Sequence, residues 1–220
     1  MAKRIIFEAV DKKPYVKVHE VKFVWNKGLN IKQKRKNISA VHNAFLEEYP
    51  DKKILEISSK SMQECGNELS AFNLKKFVPS LGKELPVENV FQGGKIFDDG
   101  TDKPRNAPSL YAESPVAAKR IAGELAEYSK VIGFTFDGQS FPSEPKTAFY
   151  DYIYCNALLE NPSLAEVVLS YDAFSDIEFN PAKSLNCQAR AAAIFAAMHH
   201  TGLADLIKDF ASFLSFSKEC

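Results

Sequence analysis

Apolar and polar side chains take turns along Tyr15-Val16-Lys17-Val18-His19-Glu20-Val21-Lys22-Phe23-Val24-Trp25. A period of two belongs to a strand with one buried face and cannot be kept by a helix. Residues 4–9 carry the same kind of pattern, and Asp11-Lys12-Lys13-Pro14 between them reads as a turn. The chain therefore opens with two paired strands. Most of the remaining chain has helical spacing instead. Asn30 is an N-cap for a helix to about residue 48, ended by Tyr49-Pro50-Asp51. Ser114-Pro115 starts another with proline at its first position, reaching about residue 128. Further helices are expected over 146–159, 164–169, an alanine-rich stretch through Met198, and 203–214. Short strands are expected at 53–57 and, buried, at 131–136. The expected class is α+β: a mostly helical single compact domain with a small N-terminal β-sheet. Residues 1–28 would pack as strands on a main domain of residues 29–220.

Composition excludes several classes. With 45% hydrophobic and 25% charged residues, the chain is neither disordered nor fibrous. No apolar run approaches the ~18 residues that span a bilayer, and Glu8 and Asp11 interrupt the N-terminus too soon for a secretory signal. Zero formal net charge argues against attraction of the whole surface to nucleic acid or acidic lipid, although a local basic patch is compatible with it. Cys65, Cys155, Cys187 and Cys220 are widely spaced, as in reduced thiols of a cytoplasmic protein. Nothing has metal-ligand spacing, so neither metal nor cofactor is expected.

Chemistry is best sought in Val87-Glu88-Asn89-Val90-Phe91-Gln92-Gly93-Gly94-Lys95-Ile96-Phe97. Read as one helix, it puts Val87, Val90, Phe91, Gly94 and Phe97 on one face, with Glu88, Gln92 and Lys95 in a stripe about 60° wide. Each glycine costs a helix interior about 1 kcal/mol relative to alanine. Close approach of a backbone or a ligand would justify the pair. The bland alternative is a surface helix with a solvated polar stripe.

Other segments offer weaker signals. Lys32, Lys34, Arg35 and Lys36 sit near a helix N-terminus, against the macrodipole; they read equally as a grip on nucleic-acid phosphates or as a solvated face. In the loop around Ser70, Phe72 and Asn73, the ring could stack on a ligand and the polar groups hydrogen-bond it, or the segment is a capped turn. Residues 98–113, including Gly100, Asp102 and Pro104, read as a long polar lid-like loop. Residues 172–181 read as a loop with three carboxylates, Asp172, Asp176 and Glu178. Asn186, Gln188 and Arg190 at the head of the alanine-rich helix read as an anion site or as close helix packing.

Taken together these blocks resemble the NADAR family. Glu88-x3-Gln92-x2-Lys95-x-Phe97 is similar to its E-x-x-x-Q-x-x-K-F block, and Leu69-Ser70-Ala71-Phe72 to its L-S-N-F loop. Ala157-Leu158-x2-Asn161-Pro162-x-Leu164 resembles its helix followed by N-P-x-L, and Asp176 with Asn186 its terminal D…N block. The pattern, over about residues 20–215, most resembles the NADAR antitoxins encoded beside DarT-type toxins, which ADP-ribosylate guanine in DNA. This sequence departs from the family pattern at Ala71, at Asn89-Val90 and over residues 186–190.

The resemblance implies an N-glycosidase without a metal that frees ADP-ribose from guanine and restores the base. Its partners would be ADP-ribosylated DNA, ADP-ribose as product and a DarT-type toxin. Breaking such a bond needs a protonated leaving nitrogen and a stabilised sugar cation. Glu88 is the expected acid/base and Lys95 the amine that forms a Schiff base with the opened ribose. Gln92 would orient sugar hydroxyls, Asp176 order water or ribose, and Phe72 stack on a base. The competing functions are hydrolysis of phosphoribosylamino intermediates of the riboflavin pathway and non-catalytic binding of ADP-ribose or toxin.

Overall fold

The alternating segment forms the antiparallel pair its period dictates. In the computed structural model, which describes residues 1–28, 30–100, 105–182 and 184–220, β1 (Ala2–Ala9) pairs with β2 (Val16–Phe23) from Ala2 opposite Phe23 to Ala9 opposite Val16. Helix α1 (Ile31–Glu48) follows, and the Asn30 side chain accepts from the Gln33 N–H at 2.9 Å, as an N-cap should. Then come β3 (Ile54–Glu56), the short α2 (Glu64–Glu68), a hairpin of β4 (Lys75–Val78) and β5 (Lys83–Pro86), α3 (Val87–Gly93), β6 (Lys95–Asp98) and β7 (Arg105–Asn106). Helix α4 (Pro115–Tyr128) starts behind Ser114, whose hydroxyl accepts from the Ala117 N–H at 3.3 Å. The chain continues through β8 (Lys130–Phe136), β9 (Gln139–Pro142), α5 (Ala148–Glu160), α6 (Pro162–Leu169), β10 (Ala173–Ser175), α7 (Gln188–His200) and α8 (Phe210–Ser217). Helix makes up 46% and strand 22%, an α+β chain in a single compact domain.

Two helices that are apolar all round form the centre, as helices without a polar face must. Ten residues of α5 and nine of α7 are buried, and the two pack on each other. The first sheet has the order β2-β1-β10-β3. One of its faces, with Ile6 and Phe23, meets Ile38, Val41 and Phe45 of α1. Its other face, with Phe7 and Ala9, meets the main core, and α7 packs on β1. Covered on both sides, β1 ends in four consecutive buried residues and loses its alternation there. The second sheet, β7-β6-β8-β9, carries α4 on Phe97, Ala107 and Leu110. Among the described residues no helix is long and apolar enough to cross a membrane.

Several expectations need correction. Residues 172–181 are not all loop, since β10 is a central strand, antiparallel to β1 and parallel to β3. Of the expected lid at 98–113, Asp102 and Pro104 lie outside the described residues. Its described part returns as β7 beside β6 and then as a 3-10 turn, Pro108–Tyr111. The helix expected over 203–214 is broken at Asp209. A 3-10 turn, Ala204–Lys208, precedes that residue, and its carboxylate caps α8 through the Ser212 N–H at 2.8 Å. In β8, expected to be buried, only Gly133 and Phe134 are.

Candidate active site

The stretch from Val87 is helical only to Gly93; Gly94 caps it and Lys95 begins a strand. The second sheet takes the backbone over, because Thr135 N–H donates to Gly94 O at 2.7 Å and Lys95 pairs with Phe134. Close approach accounts for the glycines. A Cβ on Gly93 would stand 2.5 Å from the Tyr111 ring, and one on Gly94 would stand 2.7 Å from Thr135 O. Gly94→Ala is therefore expected to cost about 1–3 kcal/mol, lowering Tm by several degrees in thermal unfolding, because backbone has to move.

Leaving the helix does not take Lys95 away from Glu88. Its Nζ lies 5.1 Å from the centre of the Phe91 ring. Burial pushes its amine down to about 8, against the Glu88 carboxylate, which raises it, and with help from Lys119, which lowers it. Nor is the polar stripe a solvated face: Glu88 is 4% exposed and Gln92 5%. Gln92 Nε2 donates to Glu88 Oε1 at 2.7 Å, while Gln92 Oε1 is buried with no partner among the described residues. Glu88 stands in the first turn of α3, where the N–H groups of Val87 and Glu88 are taken by Leu74 O and Ala71 O.

The turn after α2 abuts this helix. Glu88 N–H donates to Ala71 O at 2.9 Å, and the Tyr154 hydroxyl donates to Leu69 O at 2.7 Å. Ser70 is buried, and its hydroxyl has no partner among the described residues. The half-buried Phe72 has the Lys119 Nζ of α4 5.6 Å from its ring centre. Asn73 is exposed and turned to Asn67, donating to its side chain at 2.6 Å.

A third group comes from the end of the first sheet. Asp176 follows β10, and its Oδ1 accepts from the N–H groups of Glu178 and Phe179 at 2.9 and 3.2 Å. Beside it, Glu56 of β3 is buried and accepts from Ser58 Oγ (2.6 Å), Ser175 Oγ (2.5 Å) and Ile177 N (2.8 Å). His42 Nε2 closes on Ser175 Oγ at 2.8 Å. Burial raises Glu56, and its three hydrogen-bond donors oppose that rise. Burial, then the Glu56 charge, push Asp176 up to about 8.

The remaining sequence candidates divide. The Asn186 Oδ1 is buried without a described partner, like Ser70 and Gln92. Gln188 is a backbone clamp: it accepts from Ala71 N–H and donates to Ile57 O, both at 2.7 Å. Arg190 pairs with the buried Asp151 of α5. On α1, Lys34 pairs with Glu178 at 2.9 Å and Arg35 reaches Ser61 O at 3.4 Å, whereas Lys32 and Lys36 are exposed. The sequence reading passed over Glu56, Lys119 and Tyr150. The last is a buried tyrosine of α5 on which the charges of Glu88 and Asp176 both act. Surface depressions of about 310 and 110 Å³ open elsewhere, one beside Tyr15, Leu206 and Phe216, the other beside Phe136 and Tyr152. Buried side-chain polar atoms without a partner among the described residues are Ser70 Oγ, Gln92 Oε1 and Asn186 Oδ1, together with Asn89 Oδ1, Asp151 Oδ1 and His199 Nε2. Among the described residues no group of three or more His, Cys, Asp or Glu could hold a metal ion.

The family model of the DarT1-associated NADAR antitoxin matches residues 2–220. The chain belongs to that family. No curated protein matches it.

Proposed function

We propose that this member of the DarT1-associated NADAR antitoxins is a cytoplasmic N-glycosidase that frees ADP-ribose from guanine in DNA, undoing its partner toxin's modification. The observation that carries the reading is Lys95, a desolvated amine in the field of a buried carboxylate. Held at about 8 instead of 10.5, it is neutral far more often at pH 7 than an ordinary lysine. That fraction is the nucleophile.

In this scheme the acid role expected of Glu88 passes to Asp176, which is pushed up to about 8 and gives its proton to the guanine amino nitrogen as the bond to the distal ribose C1 breaks. Glu88 faces the positive charge that develops on the sugar. Neutral Lys95 attacks C1; a proton then passes from its nitrogen to the ring oxygen as the ring C–O bond breaks, and the nitrogen lone pair closes an iminium between enzyme and sugar. Water adds to C1, the C–N bond to Lys95 breaks, and ADP-ribose leaves. Gln92, Ser70 and Asn186 offer unpaired oxygens to the sugar hydroxyls. Phe72 and Lys119 together suit a stacked base beside a diphosphate.

The test is incubation of substoichiometric protein with DNA carrying ADP-ribosylated guanine. Release of many equivalents of free ADP-ribose supports the enzyme; protection of the DNA only at one copy per toxin would replace it with a sequestering antitoxin. Release from phosphoribosylamino intermediates but not from DNA would point to the riboflavin-pathway substrates. Lys32 and Lys36 project freely from α1. Replacing both with alanine is expected to weaken DNA binding and to reduce the salt slope, log Kobs against log salt, by about two. Release from a modified mononucleotide should be unchanged. Competition binding across a salt series checks this.

A further inference from the structure

Three tyrosines stand along one buried stretch of α5, and two have obvious work. The Tyr154 hydroxyl donates to Leu69 O at 2.7 Å and that of Tyr152 to Lys208 O at 3.2 Å. Tyr150 differs. It is 5% exposed, its ring meets the Phe91 ring edge-on at 5.2 Å, and its neighbour Tyr154 lies at 6.4 Å. Among the described residues nothing hydrogen-bonds its hydroxyl. That hydroxyl is not one of the buried side-chain atoms left without a partner, so the small exposure Tyr150 keeps includes its oxygen. Phenylalanine would fill the same apolar space, as Phe91 and Phe149 do nearby, so the packing does not call for the oxygen.

The surroundings of that hydroxyl say what it could bind. The charges acting on it come from Glu88 on α3 and Asp176 after β10, with Tyr154 of α5 and Cys187 ahead of α7 as further ionisable neighbours. The Glu88 charge repels a phosphate there. A neutral group that accepts one hydrogen bond and gives another fits: it accepts from the phenol O–H and donates its own O–H to a carboxylate. A sugar hydroxyl has that character.

We propose that Tyr150, packed on the Phe91 ring beside which Lys95 Nζ lies, is a substrate-binding residue whose hydroxyl donates to a hydroxyl of the distal ribose. The assignment rests on the glycosidase reading and deepens it, since it accounts for how the ribose is told apart from the rest of the nucleotide. Burial holds the phenol well above its ordinary range, so it stays a donor at any working pH.

The test is Tyr150→Phe, measured three ways with the full chain. Its Tm should equal or exceed the wild-type value, because no internal hydrogen bond is lost. Wild-type protein should bind ADP-ribose more tightly than ADP, which lacks the distal ribose, and the variant should lose about 10-fold or more of that preference while binding ADP as before. Its kcat/KM on modified DNA should fall by a similar or larger factor. A lower Tm would make the hydroxyl structural and overturn the proposal. So would an unchanged preference for ADP-ribose, or a wild-type protein that does not distinguish the two ligands. If the variant loses the preference but wild-type protein releases nothing from DNA, the ribose site stands and the DNA substrate falls. If release is robust in both proteins with equal preference, the reverse holds.

Discussion

Lys95→Arg is expected to reduce ADP-ribose release by about 10³-fold or more and to abolish any adduct trapped by borohydride. Arginine keeps the positive charge but never supplies a neutral amine. A mere electrostatic role for Lys95 would survive the change, and a covalent one would not. Mass spectrometry of wild-type protein after reduction should place ADP-ribose on Lys95; an active wild type with no adduct there would remove the Schiff base. Stability should move the other way in a neutral variant. Because the folded amine sits at about 8 and the unfolded one near its ordinary value, the unfolded chain holds more protons between those pH values. Wild-type stability therefore rises as pH climbs from about 8 through that window. Lys95→Met should raise Tm at pH 7, and its advantage should shrink by pH 10.

Asp176→Asn carries the second large effect, a loss of about 10²-fold or more if the carboxyl supplies the proton. The asparagine oxygen can still accept from the N–H groups of Glu178 and Phe179, so the loop's hydrogen bonds survive the exchange. Wild-type rate should rise with pH as Lys95 loses its proton and fall again as Asp176 loses its own, both at about 8. The profile is then a narrow bell near pH 8. The sign for stability is fixed by the same carboxyl. Its folded value lies far above that of an unfolded aspartate, so the native state holds the extra proton, and stability is lost as pH rises through the interval up to about 8. Asp176→Asn should escape that loss and melt higher than wild type at pH 9. A variant that melts lower there, or keeps full activity, would assign Asp176 to the loop's architecture alone.

Local signals in this sequence were legible where neighbours along the chain decide the outcome. The alternation over residues 15–25 gave β2, and Asn30 and Ser114 marked helix starts that their side chains do cap. Strand β10 escaped because three residues buried on both faces between carboxylates have no period to read. The helix through Lys95 was an extrapolation of 100° per residue across Gly93-Gly94, where the contacts that end it come from Thr135 and Tyr111. Glu88 nevertheless still acts on Lys95, whose amine lies near the Phe91 ring of that helix. Remote partners made the rest opaque. Gln188 and Arg190 looked like ligand groups until Ile57, Ala71 and Asp151 claimed them. Glu56 read as one polar residue in a short strand, because the aspartate it governs lies far along the chain.

Seating the amine on a strand has a mechanical corollary. Backbone hydrogen bonding to the second sheet anchors the main chain at Gly94 and Lys95, so in the proposed reaction the travel from empty to sugar-linked enzyme would be left to four rotatable bonds of one aliphatic arm. The proposed covalent intermediate would form and dissolve there while the framework behind it stays still.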